Sequence, residues 1–182
     1  MKPEILQTPI KGLILIKPTV FIDERGYFLE SYNQEDLNEA GINDKFVQDN
    51  MSMSKKGTLR GLHFQKPPYA QSKLISVISG IVLDIVVDIR KSSPTYGKYF
   101  SVELSGTNFM QIYVPKGFAH GFITLEDNTV LSYKCSDYYH KESEGGLIWN
   151  DPALSIPWGS DQPVLSEKDK NFISIEQFKS PF

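Results

Sequence analysis

Along most of the chain, short runs of β-branched and aromatic residues alternate with Gly, Pro, Asn, Asp and Ser, the residues that supply turn geometry. This texture predicts strands over residues 13–16, 20–23, 27–32, 46–53, 58–64, 74–79, 81–89, 99–104, 111–114, 121–125, 130–133 and 147–149. One helix is expected among them, over 34–40: Asn33 can cap it, Glu35 and Asp36 sit in its first turn, and Gly41 ends it. A second short helix is expected after Ser166, with Glu167 and Asp169 near its positive end. Many short strands, few helices and no strand–helix–strand rhythm favour a mainly β fold, an antiparallel barrel or double-sheet jelly roll. No internal repeat or linker divides the chain. A single domain over 1–182 is therefore expected, with its core over about 12–160 and a polar extension over about 161–182 packed across the barrel.

The run 81–89, Ile-Val-Leu-Asp-Ile-Val-Val-Asp-Ile, is apolar on both faces apart from Asp84 and Asp88. That pattern suits a strand buried inside a sandwich, and the two carboxylates share one face. Buried carboxylates need partners, so each is expected to meet a backbone N–H or an Arg, or else to line a pocket.

Composition sharpens the picture. With 40% hydrophobic and 23% charged residues in 182, the chain can build a core without staples and does not read as disordered. Its 19 Lys and Arg against 22 Asp and Glu leave a net charge of −3, which argues against a partner held by nucleic-acid phosphates. Lone Cys135 cannot form an internal disulfide, which points to a reducing compartment or a disulfide-free fold. No secretory signal is recognised at the start, and no apolar run approaches the ~20 residues of a membrane helix. A cytoplasmic protein with neither membrane nor nucleic-acid partner is the expectation.

Several familiar chemistries lack their motifs. There is no Gly-x-Gly-x-x-Gly, no phosphate-cradling loop ending in Gly-Lys-Ser/Thr and no Cys-x-x-Cys. Ser52-Met53-Ser54-Lys55 spells Ser-x-x-Lys, but nothing else of a covalent-serine site accompanies it. Two of the three histidines lie in polar clusters instead. One is Leu59-Arg60-Gly61-Leu62-His63-Phe64-Gln65, followed by Gln71-Ser72-Lys73; the other is Pro115-Lys116-Gly117-Phe118-Ala119-His120-Gly121. On a regular strand over 58–64, Arg60 and Leu62 point one way, and Leu59, Gly61 and His63 the other. A lone histidine is commonly a hydrogen-bonded core imidazole. The neighbouring Gly61, Gly117 and Gly121 favour the other reading, since close backbone approach is what a ligand-lined barrel mouth uses.

These clusters resemble the paired motifs of the cupin superfamily, whose fold is a jelly-roll barrel. Many cupins bind metal through His-x-His, a nearby Glu and a histidine of the second motif. Here His63 is followed by Phe64-Gln65, and no Glu or His occurs between Lys66 and Gly80. His63 and His120 alone are not a metal-ligand set, so a site working through acid–base groups, without metal or cofactor, is expected.

A narrower resemblance rests on an ordered series. It comprises Asp23-Glu24-Arg25-Gly26-Tyr27-Phe28, Phe46-Val47-Gln48-Asp49-Asn50, the two histidine clusters and Ser93-Pro94-Thr95. Glu144-Gly145, Trp149-Asn150-Asp151 and Leu165-Ser166-Glu167-Lys168-Asp169 complete it. From about Gly12 to Asp169 this series is similar to the dTDP-4-dehydrorhamnose 3,5-epimerases. The resemblance implies inversion of C3 and C5 of dTDP-4-keto-6-deoxy-D-glucose through an enolate, on the route to dTDP-L-rhamnose. It implies His63 as base, Asp169 as its carboxylate partner, Tyr133 as proton donor and Lys73 as the group that steadies the enolate oxygen. It also implies nucleotide-sugar binding by Arg25, Arg60 and Lys168 at the diphosphate, and by Gln48, Asn50, Glu30, Glu144 and His120 at sugar or base edges. Phe21, Phe28, Tyr138 and Tyr139 are candidates to stack on the base. The family's barrels form homodimers with exchanged N-terminal strands, which would put Arg25 and Glu30 in the partner's site. A single-centre epimerase or ketoisomerase on a related 4-ketosugar, or a barrel that only binds a nucleotide-sugar, are the rival readings.

Overall fold

The computed structural model describes residues 2–182. In chain order its elements are β1 (Glu4–Gln7), β2 (Ile14–Lys17), β3 (Val20–Asp23), β4 (Gly26–Leu29), α1 (Gln34–Glu39), β5 (Gln48–Ser54), β6 (Leu59–Gln65) and β7 (Lys73–Ser79). There follow β8 (Ile81–Asp88), β9 (Tyr99–Ser105), β10 (Gln111–Val114), β11 (Phe118–Thr124), β12 (Thr129–Cys135) and β13 (Glu144–Gly146).

Two antiparallel sheets face each other. One runs β1-β2-β10-β7-β12-β5 and the other β13-β6-β11-β8-β9, while β3 and β4 form a separate hairpin. Consecutive strands repeatedly fall into different sheets, as in a jelly roll, and the fold is the mainly β barrel that the sequence pattern predicts. Between the sheets lies an apolar core that includes Ile75, Val77, Val82, Val86, Leu104, Ile112, Phe118, Phe122 and Leu131. A second core covers the outer face of the five-stranded sheet, where Leu59, Leu62, Ile85, Val87 and Ile123 meet Leu154, Trp158 and, from the C-terminal extension, Ile175. A third packs Leu37 of α1 and Ile42 against Ile14, Ile16, Leu74 and Tyr113. The asymmetry follows from the side chains: β8 is apolar on both faces, so both of its faces must be covered.

The expected helix forms over α1, with the Asn33 side chain accepting from the backbone N–H of Glu35 and Asp36. The second expected helix does not form. Residues 167–170 make a single turn in which Ser166 Oγ accepts from the backbone N–H of Asp169 at 3.2 Å. The chain is extended on both sides of this turn, with Val164 in a parallel bridge to Thr58 before it and Ile173 in one to Leu147 after it. The strand expected over 147–149 lies three residues earlier, at β13. Its Gly145 and Gly146 read as turn residues, yet they pair with Phe64 and His63, and the rings of Phe64 and Phe172 occupy the space where their side chains would be. Strand β1 was not anticipated; it forms the sheet edge on β2.

Asp84 and Asp88 are both fully buried; Asp88 meets the expected Arg partner, whereas Asp84 neither meets a backbone N–H or an Arg nor lines a cavity. Burial pushes Asp88 upward, but hydrogen bonds from Arg90, Ser93 and Thr95 outweigh it and hold the carboxyl at about 2. Asp84 instead supports a cleft histidine, described next.

Candidate active site

Arg60 and His63 reach the same cavity because β6 carries a bulge. Across the β6–β11 ladder His63 faces His120 and Arg60 faces Phe122, so three steps on one strand match two on the other. A regular strand would put Arg60 and His63 on opposite faces; the inserted residue turns both inward and corrects that expectation. Leu59 and Leu62 fall on the outer core. Gly61 makes the bulge possible. Its φ is +140°, and a Cβ there would lie 2.4 Å from the Cα of Gly121.

His63 Nε2 is 2.5 Å from Asp169 Oδ1, across 106 positions of sequence. Asp169 is buried and ionised, so the imidazole donates Nε2–H and leaves Nδ1 with the free lone pair. Burial holds the His63 pKa below its ordinary 6.5; the Asp169 hydrogen bond opposes that shift, and the positive charges of Lys73 and Lys168 add to it. Burial would raise the Asp169 carboxyl, but the hydrogen bond and charge of His63 bring it below the usual 3.8. Beside this pair, His120 Nε2 lies 2.8 Å from Asp84 Oδ2, and Asp84 Oδ1 has no hydrogen-bond partner.

The facing wall comes from the other sheet. In register, Tyr133 of β12 lies between Asn50 of β5 and Ile75 of β7, and Cys135 between Gln48 and Lys73. Alternation therefore turns Gln48, Asn50, Ser52, Lys73 and Tyr133 inward together. Burial lowers the Lys73 pKa and raises that of Tyr133, so the phenol keeps its proton at neutral pH. Lys73 Nζ sits 5.8 Å from the Tyr133 ring centre. Two adjoining cavities, of about 570 and 330 Å³, meet at His63, Lys73, Tyr133 and Glu144. Glu144 Oε1 pairs with Lys168 Nζ at 2.6 Å, and its Oε2 accepts from the Tyr139 hydroxyl at 3.2 Å. Among the described residues no group of three His, Cys, Asp or Glu is placed to hold a metal ion.

This is an imidazole–carboxylate pair and a protonated phenol on opposite walls of one cleft, with a lysine beside the phenol. Such a site can move protons at carbon. The family model described as dTDP-4-dehydrorhamnose 3,5-epimerase matches residues 7–177. The chain belongs to this family.

A relative named dTDP-4-dehydrorhamnose 3,5-epimerase from Shigella flexneri is 47% identical over 96% of this chain and 98% of its own. The crystal structure of the enzyme of that name from Elizabethkingia anophelis superposes with a TM-score of 0.92 at 49% identity, covering 97% of this chain and 98% of that one. The dTDP-6-deoxy-D-glucose-3,5-epimerase of Legionella pneumophila, solved in complex with dTDP-4-keto-L-rhamnose, gives 0.93 at 46% identity, over 97% and 95%.

Of the residues that the family resemblance singles out, His63, Asp169, Tyr133, Lys73, Arg60, His120, Glu144, Lys168, Gln48, Asn50 and Tyr139 line the joined cavities. Others stand apart. Arg25 lies on the β3–β4 hairpin, exposed and paired with Asp23 at 2.5 Å. Phe21 and Phe28 are exposed on the same hairpin, and Glu30 lies just beyond it, within 3.3 Å of Asn33. Tyr138 is exposed, and its carbonyl accepts from Gln65 Nε2. Sequence reading missed Ser52 and Gln71 as lining residues and Asp84 as the partner of His120. For Ser52 the signal was present: in β5 the polar residues Gln48, Asn50, Ser52 and Ser54 alternate with exposed Met51 and Met53, a strand with its polar face turned inward.

Proposed function

We propose that the protein acts on dTDP-4-keto-6-deoxy-D-glucose and inverts C3 and C5, giving dTDP-4-keto-L-rhamnose for dTDP-L-rhamnose synthesis. Family membership makes it an epimerase. The observation that carries the mechanism is that His63 and Tyr133 line one cavity from different sheets. His63 Nδ1 takes the proton from the carbon next to the ketone, and the C–H electron pair moves into a C=C bond as the carbonyl becomes an enolate. Lys73 steadies the enolate oxygen. Tyr133 then delivers its phenolic proton to the opposite face, the carbonyl re-forms and the centre is inverted; solvent restores both groups. Asp169 fixes the tautomer that makes Nδ1 the acceptor and stabilises the imidazolium formed.

Arg60 and Lys168 suit the diphosphate, and Gln48, Asn50, Glu144, His120 and Tyr139 the sugar and base. Arg25, Glu30, Phe21 and Phe28 find no role in their own cleft. Their place on or beside an exposed hairpin supports a homodimer in which they complete the neighbour's site. A nucleotide-linked substrate and an unpaired Cys135 suit the cytoplasm.

Turnover in D2O tests the reading. Deuterium is expected at both C3 and C5 of the product. Label at one carbon alone would make the protein a single-centre epimerase, and no label would leave only binding.

A further inference from the structure

The position across the strand from His63 carries no side chain. Gly146 of β13 is its register partner on the side away from His120, so a side chain there would pack against the imidazole. The ring of Phe172 fills that space from the C-terminal extension. A Cβ at Gly146 would lie 2.5–2.6 Å from three of its carbons, and the ring meets the His63 imidazole edge-on, with centres 5.6 Å apart and planes at 68°. The Phe172 backbone is tied down next door, where Ile173 bridges Leu147 and its carbonyl accepts from the Ile148 N–H at 2.9 Å. One loop thus brings both Asp169 to Nε2 of the imidazole and Phe172 to its flank.

We infer that Phe172 is a positioning residue for the reaction: seated on Gly146, it holds the His63 ring in plane with Asp169 and keeps water from that flank. Two features support this. An imidazole bound at one nitrogen can still swing about that bond, and a ring packed on its flank removes the motion. Burial is also the main influence on the His63 proton affinity, and Phe172 is the large apolar group against it. The charged and titratable groups that face His63 belong to other positions than Phe172. They are Asp169 and Lys168 of the extension, Glu144 of β13, His120 of β11, Lys73 of β7, Tyr133 of β12 and Arg60 on its own strand.

The inference rests on His63 being the base, and its test separates the two. Imidazole titration followed by NMR without substrate, together with kcat and KM on dTDP-4-keto-6-deoxyglucose, is measured for wild type, Phe172→Ala, Phe172→Leu and Gly146→Ala. In Phe172→Ala the His63 titration is expected to move upward and kcat to fall on the order of 10–100-fold, with KM held within about 2-fold. Phe172→Leu should recover most of both, and Gly146→Ala, which displaces the ring without removing it, should shift both the same way. An unmoved titration in Phe172→Ala overturns the inference. So does a kcat loss no larger than the unfolded fraction measured by circular dichroism at the assay temperature. If Phe172→Ala does not fold, Gly146→Ala carries the same outcomes. A wild type without turnover would remove the base role, while the substrate-free titration would still report on positioning.

Discussion

A base that works near neutral pH must be unprotonated and correctly turned; burial secures the first for His63, and its hydrogen bond to Asp169 the second. Asp169 takes Nε2–H, and burial keeps the other nitrogen free of a proton to below pH 6.5. The sign of the pH dependence follows. The active form is the neutral imidazole, so kcat/KM should fall as pH drops through a value under 6.5, and a limb centred above 6.5 would contradict the burial argument. Replacing His63 by Ala should lower turnover by about 10²–10⁴-fold and abolish solvent deuterium exchange, with ligand binding retained in calorimetry. Tyr133→Phe separates the two halves of the reaction. Proton removal and exchange should persist while inversion slows, and an equal loss of both would take Tyr133 out of the donor role.

At the level of elements, the bulge in β6 decides which side chains share the cleft. Adding a methyl at Gly61 drives it into the Gly121 backbone and forces a left-handed conformation on a residue that resists it. Gly61→Ala is expected to destabilise the fold by about 2–4 kcal/mol. That should lower the melting temperature by roughly 5–15 °C in calorimetry, with activity lost even in the folded fraction as Arg60 and His63 part. Here the limits of reading a sequence become specific. The strands were legible because burial on one or two faces imposes a period of two, and α1 because Asn33 and Gly41 punctuate it. The bulge was not, since that same period assumes one residue faces one. Nor was β13: its glycines look like a turn until the rings that fill their places are known. Asp88 could be read from its neighbours, because Arg90, Ser93 and Thr95 lie within seven residues, whereas the partner of Asp84 is 36 positions away. The His63–Asp169 pair, 106 positions apart, came from family resemblance and from nothing local.

For the molecule as a whole, the exposed faces matter as much as the cleft. Val47, Met51, Met53 and Ile78 lie exposed on the outer side of the six-stranded sheet, and Phe21, Ile22, Tyr27 and Phe28 on the hairpin. Light scattering should give a mass near twice 20.6 kDa; a mass near one chain would sink the dimer. If hairpins are exchanged, co-expressing Arg25→Ala with His63→Ala should yield mixed dimers holding one intact site, with a measurable return of turnover. Prolonged treatment with a chelator should leave the rate unchanged.

Asp169 comes after every strand in chain order, and the loop that carries it also shields the outer core beside Trp158 and Ile175. Ribosomal synthesis therefore delivers the barrel first and the carboxylate last. The carboxylate that turns the imidazole thus belongs to the segment that wraps the outer core, not to the barrel that carries the imidazole.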